Sequence, residues 1–364
     1  MEARAVILEN FNQPLVIKTF PIPALKEGEV LVKVEAAGIC GSDVHMWEGR
    51  DPRTRLPMIL GHEGVGKIVE LRGEKKDIYG TSLKIGDKIL WNRSITCGHC
   101  YYCKVKRQPF LCPGRWVYGI HTTSSQPPYL TGNYAEYLLL VAETDLFKIE
   151  TNVNLEIFVP ASCSGATAAH AFDLSEMGSG DSILVQGVGP LGIFGVAFAS
   201  SHGASQIIVI GGTEERLKMA RFFGATHSLN RHKLSQKERK EAVSELTHGR
   251  GVDVAFETAG EPDALKECIS LIRPGGSCIT AGFGEPHGTV ELDCFHDLNR
   301  KHLRLQGIWT SDVKHTHMAL QLILSRLNDF QKLITHRFSL DQANEAIRAM
   351  KNKEAVKAVL RPHG

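Results

Sequence analysis

At 364 residues the chain is long for one hydrophobic core and comfortable for two. Hydrophobic residues make up 43% and charged residues 23%, an ordinary globular mixture that excludes a largely disordered chain. Lys plus Arg number 42 against 40 for Asp plus Glu, a balance with no general pull toward nucleic acid or an anionic membrane.

Read in chain order, the first part is strands and loops. Met1-Glu2-Ala3-Arg4 lacks the basic start and apolar core of a signal peptide, which makes a cytoplasmic location the expectation. Residues 3–8, 30–36, 64–70 and 88–91 are β-rich runs, with Pro21, Pro23 and Gly28 breaking the chain between the first two. The polar stretch 72–84 reads as an exposed loop. From about Ser164 the rhythm changes to strands at 182–186, 207–210, 252–257 and 277–281, each preceded by a helix-sized segment. Alternating strands and helices indicate a parallel sheet covered on both faces. The last part carries helices over 318–327 and 340–350 and a strand over 355–360. Residues 182–213 contain no Asp, Glu, Lys or Arg, but their glycines and Pro190 favour strand-turn-helix-turn-strand over a membrane span.

Gly187-Val188-Gly189-Pro190-Leu191-Gly192 matches G-x-G-x-x-G and lies between an apolar strand and an apolar helix, the context that a dinucleotide-binding turn requires. The first glycine makes the turn, the second lets backbone approach a pyrophosphate, and the third permits close helix packing. The next strand should end in an acid for the adenosine ribose, yet the sequence reads Ile210-Gly211-Gly212-Thr213-Glu214-Glu215-Arg216. Glycine removes a carboxylate that would repel a 2′-phosphate, and Thr213, Arg216 and Arg231 are candidate partners for one. Glu214 or Glu215 bending back to the ribose is the opposite reading, so NAD and NADP both stay open.

Nine cysteines with no export signal point to metal or redox chemistry rather than to a disulfide framework. Cys97-x2-Cys100-x2-Cys103-x8-Cys112 can close a tetrahedral thiolate shell around a structural zinc. Nearby Lys104, Lys106, Arg107 and Arg115 raise a nucleic-acid-binding zinc module as an alternative, but nothing else in the chain extends that cluster. A second set is dispersed: Cys40 and His62 among glycines, and Cys163 just before the glycine-rich region. One His and two Cys would leave a coordination position for water or substrate.

Taken together, these motifs resemble the zinc-containing medium-chain alcohol dehydrogenases over nearly the whole chain. The resemblance implies an α/β protein with a GroES-like β-rich catalytic domain built from residues 1–162 and 309–364, and an inserted Rossmann domain over 163–308. It implies a catalytic zinc on Cys40, His62 and Cys163, with Glu63 able to swing onto the metal and Lys357 as its basic partner. Asp43 would orient the ligand histidine. Where polyol-type relatives place a Glu ligand this chain has Val159, and its last thiolate follows eight residues where many relatives have seven. Ser42 would take the alcohol proton first and His45 pass it on. The implied activity is reversible hydride transfer between an alcohol or polyol and NAD(P), by a homodimer or homotetramer with no nucleic-acid or membrane partner. Arg93 stands where simple alcohol dehydrogenases carry an aromatic residue, which suggests a polar or anionic substrate, with Trp47, Trp91 and Trp116 as candidate pocket walls. A zinc-free quinone reductase or a nonenzymatic zinc protein are the alternatives.

Overall fold

Val30–Ile39 is the longest strand of the protein, and all but two of its side chains are buried. Such a run of small and β-branched residues suits a strand covered on both faces. In the computed structural model, which describes residues 2–364, it sits mid-sheet in the first of two compact units, formed by the chain up to Cys163 together with Ser311–Gly364. Gly64–Leu71 pairs antiparallel along one edge of it and Lys357–Arg361 along the other. Lys88–Trp91 and Leu146–Lys148 extend the sheet on the first side, Ile334–Ser339 on the second, and Tyr137–Leu140 pairs with residues 30–33. The two chain ends therefore share one sheet. A smaller antiparallel sheet joins Val16–Pro21, Glu2–Leu8 and Met58–Ile59, and Ser94–Ile95 pairs with Trp116–Val117.

The second unit, Ser164–Thr310, is a six-stranded sheet in which every pairing is parallel. Its order is His227–Asn230, Gln206–Gly211, Ser182–Gln186, Val252–Glu257, Ile272–Thr280 and Arg304–Gly307. Numbered within the unit this is 3-2-1-4-5-6, the dinucleotide-binding arrangement, whose ligand site lies beyond the strand ends where the order reverses. Helix Pro190–Ser201 lies against this sheet. Gly195 lets it come close, because a Cβ there would stand 2.7 Å from the Phe256 ring.

The uncharged stretch 182–213 resolves into strand, helix and strand, and no helix among the described residues is long and apolar enough to cross a membrane. Cys163 belongs to the first unit, and Trp309 and Thr310 complete the second. The strands that patterning alone does not announce are mostly short or at edges. Arg304–Gly307 is exposed along its whole length and is held by backbone pairing, so it carries no hydrophobic period to read.

Candidate functional site

Cys40, His62, Glu63 and Cys163 converge in the first unit, with one ligand atom from each lying within 4.8 Å of the others. Cys163 Sγ is 3.9 Å from Cys40 Sγ and 3.3 Å from His62 Nε2. Zinc–sulfur bonds of about 2.3 Å and zinc–nitrogen bonds of about 2.0–2.1 Å in a tetrahedron require roughly 3.8 and 3.6 Å between those donors. The donor set therefore fits a zinc ion, and two thiolates with one imidazole leave the fourth position for another ligand.

Local structure explains how each side chain arrives. Cys40 is the N-cap of helix Gly41–Trp47, and its backbone N–H donates to Asp43 Oδ2 at 2.8 Å. The Tyr134 hydroxyl donates to the same oxygen at 3.0 Å. Asp43 Oδ1 is then free to face His62 Nδ1, 3.2 Å away, which turns Nε2 toward the sulfurs. Burial lowers the His62 pKa, but the charge and hydrogen bonding of Asp43 outweigh it and raise the ring to about 9, the signature of a strongly electronegative setting. Gly61 before it has φ +91, and a Cβ there would strike the Tyr134 ring at 2.4 Å. Cys163 ends the 3-10 segment Leu155–Ser162 and receives a hydrogen bond from Arg93 Nη1 at 2.8 Å.

Glu63 is fully buried and ion-paired with Lys357, itself buried, whose ammonium also donates to Ile39 O at 3.2 Å. Gly38 is required there, since a Cβ would lie 2.3 Å from Glu63 Oε2. Ser42 and His45 are both half-buried on helix Gly41–Trp47, at the i, i+3 spacing that places them on one face, and Ser42 Oγ is 3.9 Å from Cys40 Sγ.

The other sulfur cluster is local. Cys97 and Cys112 have sulfurs 3.5 Å apart, as do Cys100 and Cys103, and the four form one metal-sized group. Gly98, at φ +70, turns the chain so that the N–H groups of His99 and Cys100 bond the Cys97 sulfur and lower that thiol to about 6. Four thiolates with no open position fit a structural ion.

In the second unit the glycine turn has the form its sequence requires. Gly187 adopts φ +103, and a Cβ on Gly192 would lie 1.9 Å from Gly187 O. Around Gly189 the nearest atom to such a Cβ is Arg216 Nη1 at 3.9 Å, which leaves the backbone open to a phosphate. Pro190 and Leu191 open the helix behind it. Gly211 is packed against Val188 and Leu217 and has no room for a side chain. Gly212 faces two basic tips: a Cβ there would be 3.1 Å from Arg231 Nε and 2.9 Å from His232 Nε2. His232 is absent from the sequence-derived set, because nothing in the local pattern says that it folds back beside Gly212. Thr213 is the N-cap residue of the next helix, and Glu214 is engaged by Arg221 at 2.9 Å and Lys233 at 3.8 Å.

The tryptophans divide. Trp91 is buried in the core of the first unit and is not a wall of an open pocket, while Trp47 is half-buried and donates its indole N–H to Gln13 O under the Lys351 ammonium. Trp116 is half-buried with its ring edge-on to Tyr118.

Comparison with known proteins matches residues 26–151 to the alcohol dehydrogenase GroES-like domain and residues 190–325 to the zinc-binding dehydrogenase family. The chain is 31% identical to 5-exo-hydroxycamphor dehydrogenase of Pseudomonas putida over 98% of each chain. It is also 31% identical to L-threonine 3-dehydrogenase of Serratia proteamaculans, over 93% of this chain and 94% of that one. Among solved structures, an alcohol dehydrogenase from Thermotoga maritima superposes with a TM-score of 0.96 at 46% identity over 99% of each chain. A zinc-binding dehydrogenase of Sinorhizobium meliloti bound to NADP gives 0.85 at 27% identity over the full length of both.

Proposed function

This chain belongs to the zinc-containing medium-chain alcohol dehydrogenase family, and from that premise we propose that Cys40, His62 and Cys163 hold its catalytic zinc and Cys97, Cys100, Cys103 and Cys112 its structural one. The protein is a zinc-dependent oxidoreductase that exchanges a hydride between an alcohol and NAD(P). The observation that carries the assignment of residues is the convergence of three donors from distant segments at tetrahedral spacing with one position left over.

Bound at Cys40, His62 and Cys163, zinc would supply Lewis acidity at the alcohol oxygen, and a bound nicotinamide would be the hydride acceptor. The chain's own groups do the rest. Asp43 holds the His62 ring in one orientation and tautomer, so its Nε2 presents a lone pair to the metal position. Ser42 receives the hydroxyl proton and His45, one turn further along the helix, carries it outward. Lys357 neutralises Glu63 and holds it against the Gly38 backbone beside the ligands. In the reverse direction the same groups return the proton to a carbonyl oxygen.

The dinucleotide lies over Gly187, Gly189, Pro190, Leu191 and Gly192. NADP is the preferred form, because Gly211 and Gly212 offer no ribose-binding acid while Arg231 and His232 converge beside Gly212. Glu214, paired with Arg221 and Lys233, is not available to replace it. Arg216 reaches to Gly189, 3.9 Å from where a Cβ would stand, and Thr213 caps the helix that carries Arg216. The enzyme acts in the cytoplasm as a homodimer or homotetramer on an alcohol or polyol.

Three measurements test this reading. Metal analysis should find two zincs per chain, and the purified enzyme should bind NADPH at least about tenfold more tightly than NADH by fluorescence titration. One zinc, or tighter NADH binding, would refute the corresponding half. Ser42→Ala should lower turnover about a hundredfold with both zincs retained; loss of zinc would show that the serine is structural instead.

A further inference from the structure

Glu257 closes the fourth strand of the second unit, at the carboxyl edge of the sheet where the strand order reverses, and its side chain is sealed from solvent. Its Oε1 accepts from Ala259 N and Gly260 N, each at 2.6 Å, and its Oε2 accepts from Thr280 Oγ1 at 2.8 Å. Gly282 adds a third N–H, and a Cβ on that glycine would stand 2.7 Å from Oε1. The main chain repeats the link, because Ala281 N donates to Glu257 O at 3.0 Å. Gly260, at φ +71, and Gly282 are packed backbone against backbone, with no room for a side chain on either. Thr258 carries the same structure over to the glycine turn: its Oγ1 donates to Gly187 O at 2.8 Å and its N–H to Gln186 O at 2.8 Å.

These donors to the carboxyl group are all neutral, although a buried acid is costly unless an opposite charge or several fixed dipoles meet it. Burial pushes the Glu257 carboxyl up, with Thr280 and the three N–H groups acting in the opposite sense. Such a group is satisfied only when turns 258–260 and 280–282 both hold the conformation that aims their donors inward, so it fixes the two turns against each other. The turns themselves reach the surface: Ala259 is exposed, and Thr258, Gly260, Ala281 and Gly282 are half-buried. A fold of this kind binds a dinucleotide as two mononucleotide halves, with the pyrophosphate on the first glycine turn and the adenosine ribose at the end of the second strand. The ends of the fourth and fifth strands, which Glu257 joins, are then left to the nicotinamide half.

We propose that Glu257 is a positioning residue for the nicotinamide half of the bound dinucleotide: sealed behind the crevice, it touches no ligand but locks the turns after the fourth and fifth strands into the wall on which that half rests. This deepens the dinucleotide-binding reading above and rests on it.

The test uses the zinc-loaded full-length enzyme and two matched pairs, NADPH with adenosine 2′,5′-bisphosphate and NADH with AMP, in which the second member lacks the nicotinamide half. Dinucleotides are measured by fluorescence titration and the fragments by displacement. Glu257→Gln keeps the shape but puts an amide where donors converge. It should weaken dinucleotide binding by about tenfold while changing the adenosine fragment by less than about twofold. KM for the dinucleotide should rise in step, and KM for the alcohol at saturating dinucleotide should not change. Thr280→Val removes one donor at nearly constant volume and should show the same pattern at about threefold, which keeps the proposal testable if the first variant folds poorly. Equal losses on dinucleotide and fragment, or no loss on either, would overturn the proposal while leaving the dehydrogenase reading standing. A wild-type enzyme with both zincs that binds neither dinucleotide would instead overturn that reading and this one with it.

Discussion

Cys97, Cys100, Cys103 and Cys112 come from a single loop, and three of the four remain partly exposed, whereas Cys40, His62 and Cys163 arrive from three separate segments and the last two are buried. The loop cluster needs little beyond its own turn chemistry: Gly98 reverses the chain and nearby backbone N–H groups bond the sulfurs. The dispersed set depends on the sheet. Gly61, Gly38 and Tyr134 make the space, and Asp43, fixed from both sides, aims the ring of His62. A local site can assemble on metal binding, while a dispersed one is positioned by folding first and tolerates little misplacement.

That contrast is testable from the largest effect downward. Cys163→Ala should remove one zinc per chain and lower kcat/KM by more than about a thousandfold, with far-UV circular dichroism and the unfolding midpoint little changed. Cys112→Ser should also remove one zinc but show the reverse balance: a midpoint lower by more than about 5 °C in thermal denaturation, and activity lost only in proportion to unfolding. If both variants lost stability equally, the two sites would not differ in kind. Asp43→Asn should keep both zincs at saturating metal yet weaken the catalytic one by about 10–100-fold in a chelator competition.

The smallest effect lies at the support of Cys163. Glu156 lies in the first turn of the segment that ends in Cys163 and accepts from Arg337 Nε at 2.8 Å and Arg361 Nη2 at 2.7 Å. Burial pushes its carboxyl up, but hydrogen bonds and charge from the two arginines outweigh it and hold the group below the ordinary range. A depressed folded pKa means stability that is present above the unfolded value of about 4.3 and lost as pH falls through the lower folded one. Glu156→Gln should therefore cost about 1–2 kcal/mol at pH 7, a figure kept small because both arginines are more than a third exposed. Urea titrations should show the deficit closing below about pH 4; a deficit independent of pH would mean that packing, not charge, holds the segment.

Much of this architecture is written in short-range patterns. The alternation of strands and helices from 182 onward, the glycine turn and the four-thiolate loop each depend on residues near one another in the chain, so spacing and hydrophobic period reveal them. Cys40, His62 and Cys163 were legible only as a family resemblance, since each alone is an ordinary cysteine or histidine. Edge strands such as Arg304–Gly307 were not legible at all, because backbone pairing rather than side-chain burial holds them.

Folding settled what spacing could not. His232 joins Arg231 beside Gly212, Trp91 turns into the core rather than a pocket, and the Arg93 guanidinium reaches Cys163 from seventy residues away. The reason is physical: helix, turn and thiolate-loop preferences are energies between near neighbours, while charge clustering and pocket lining depend on distances that exist only after distant segments have packed.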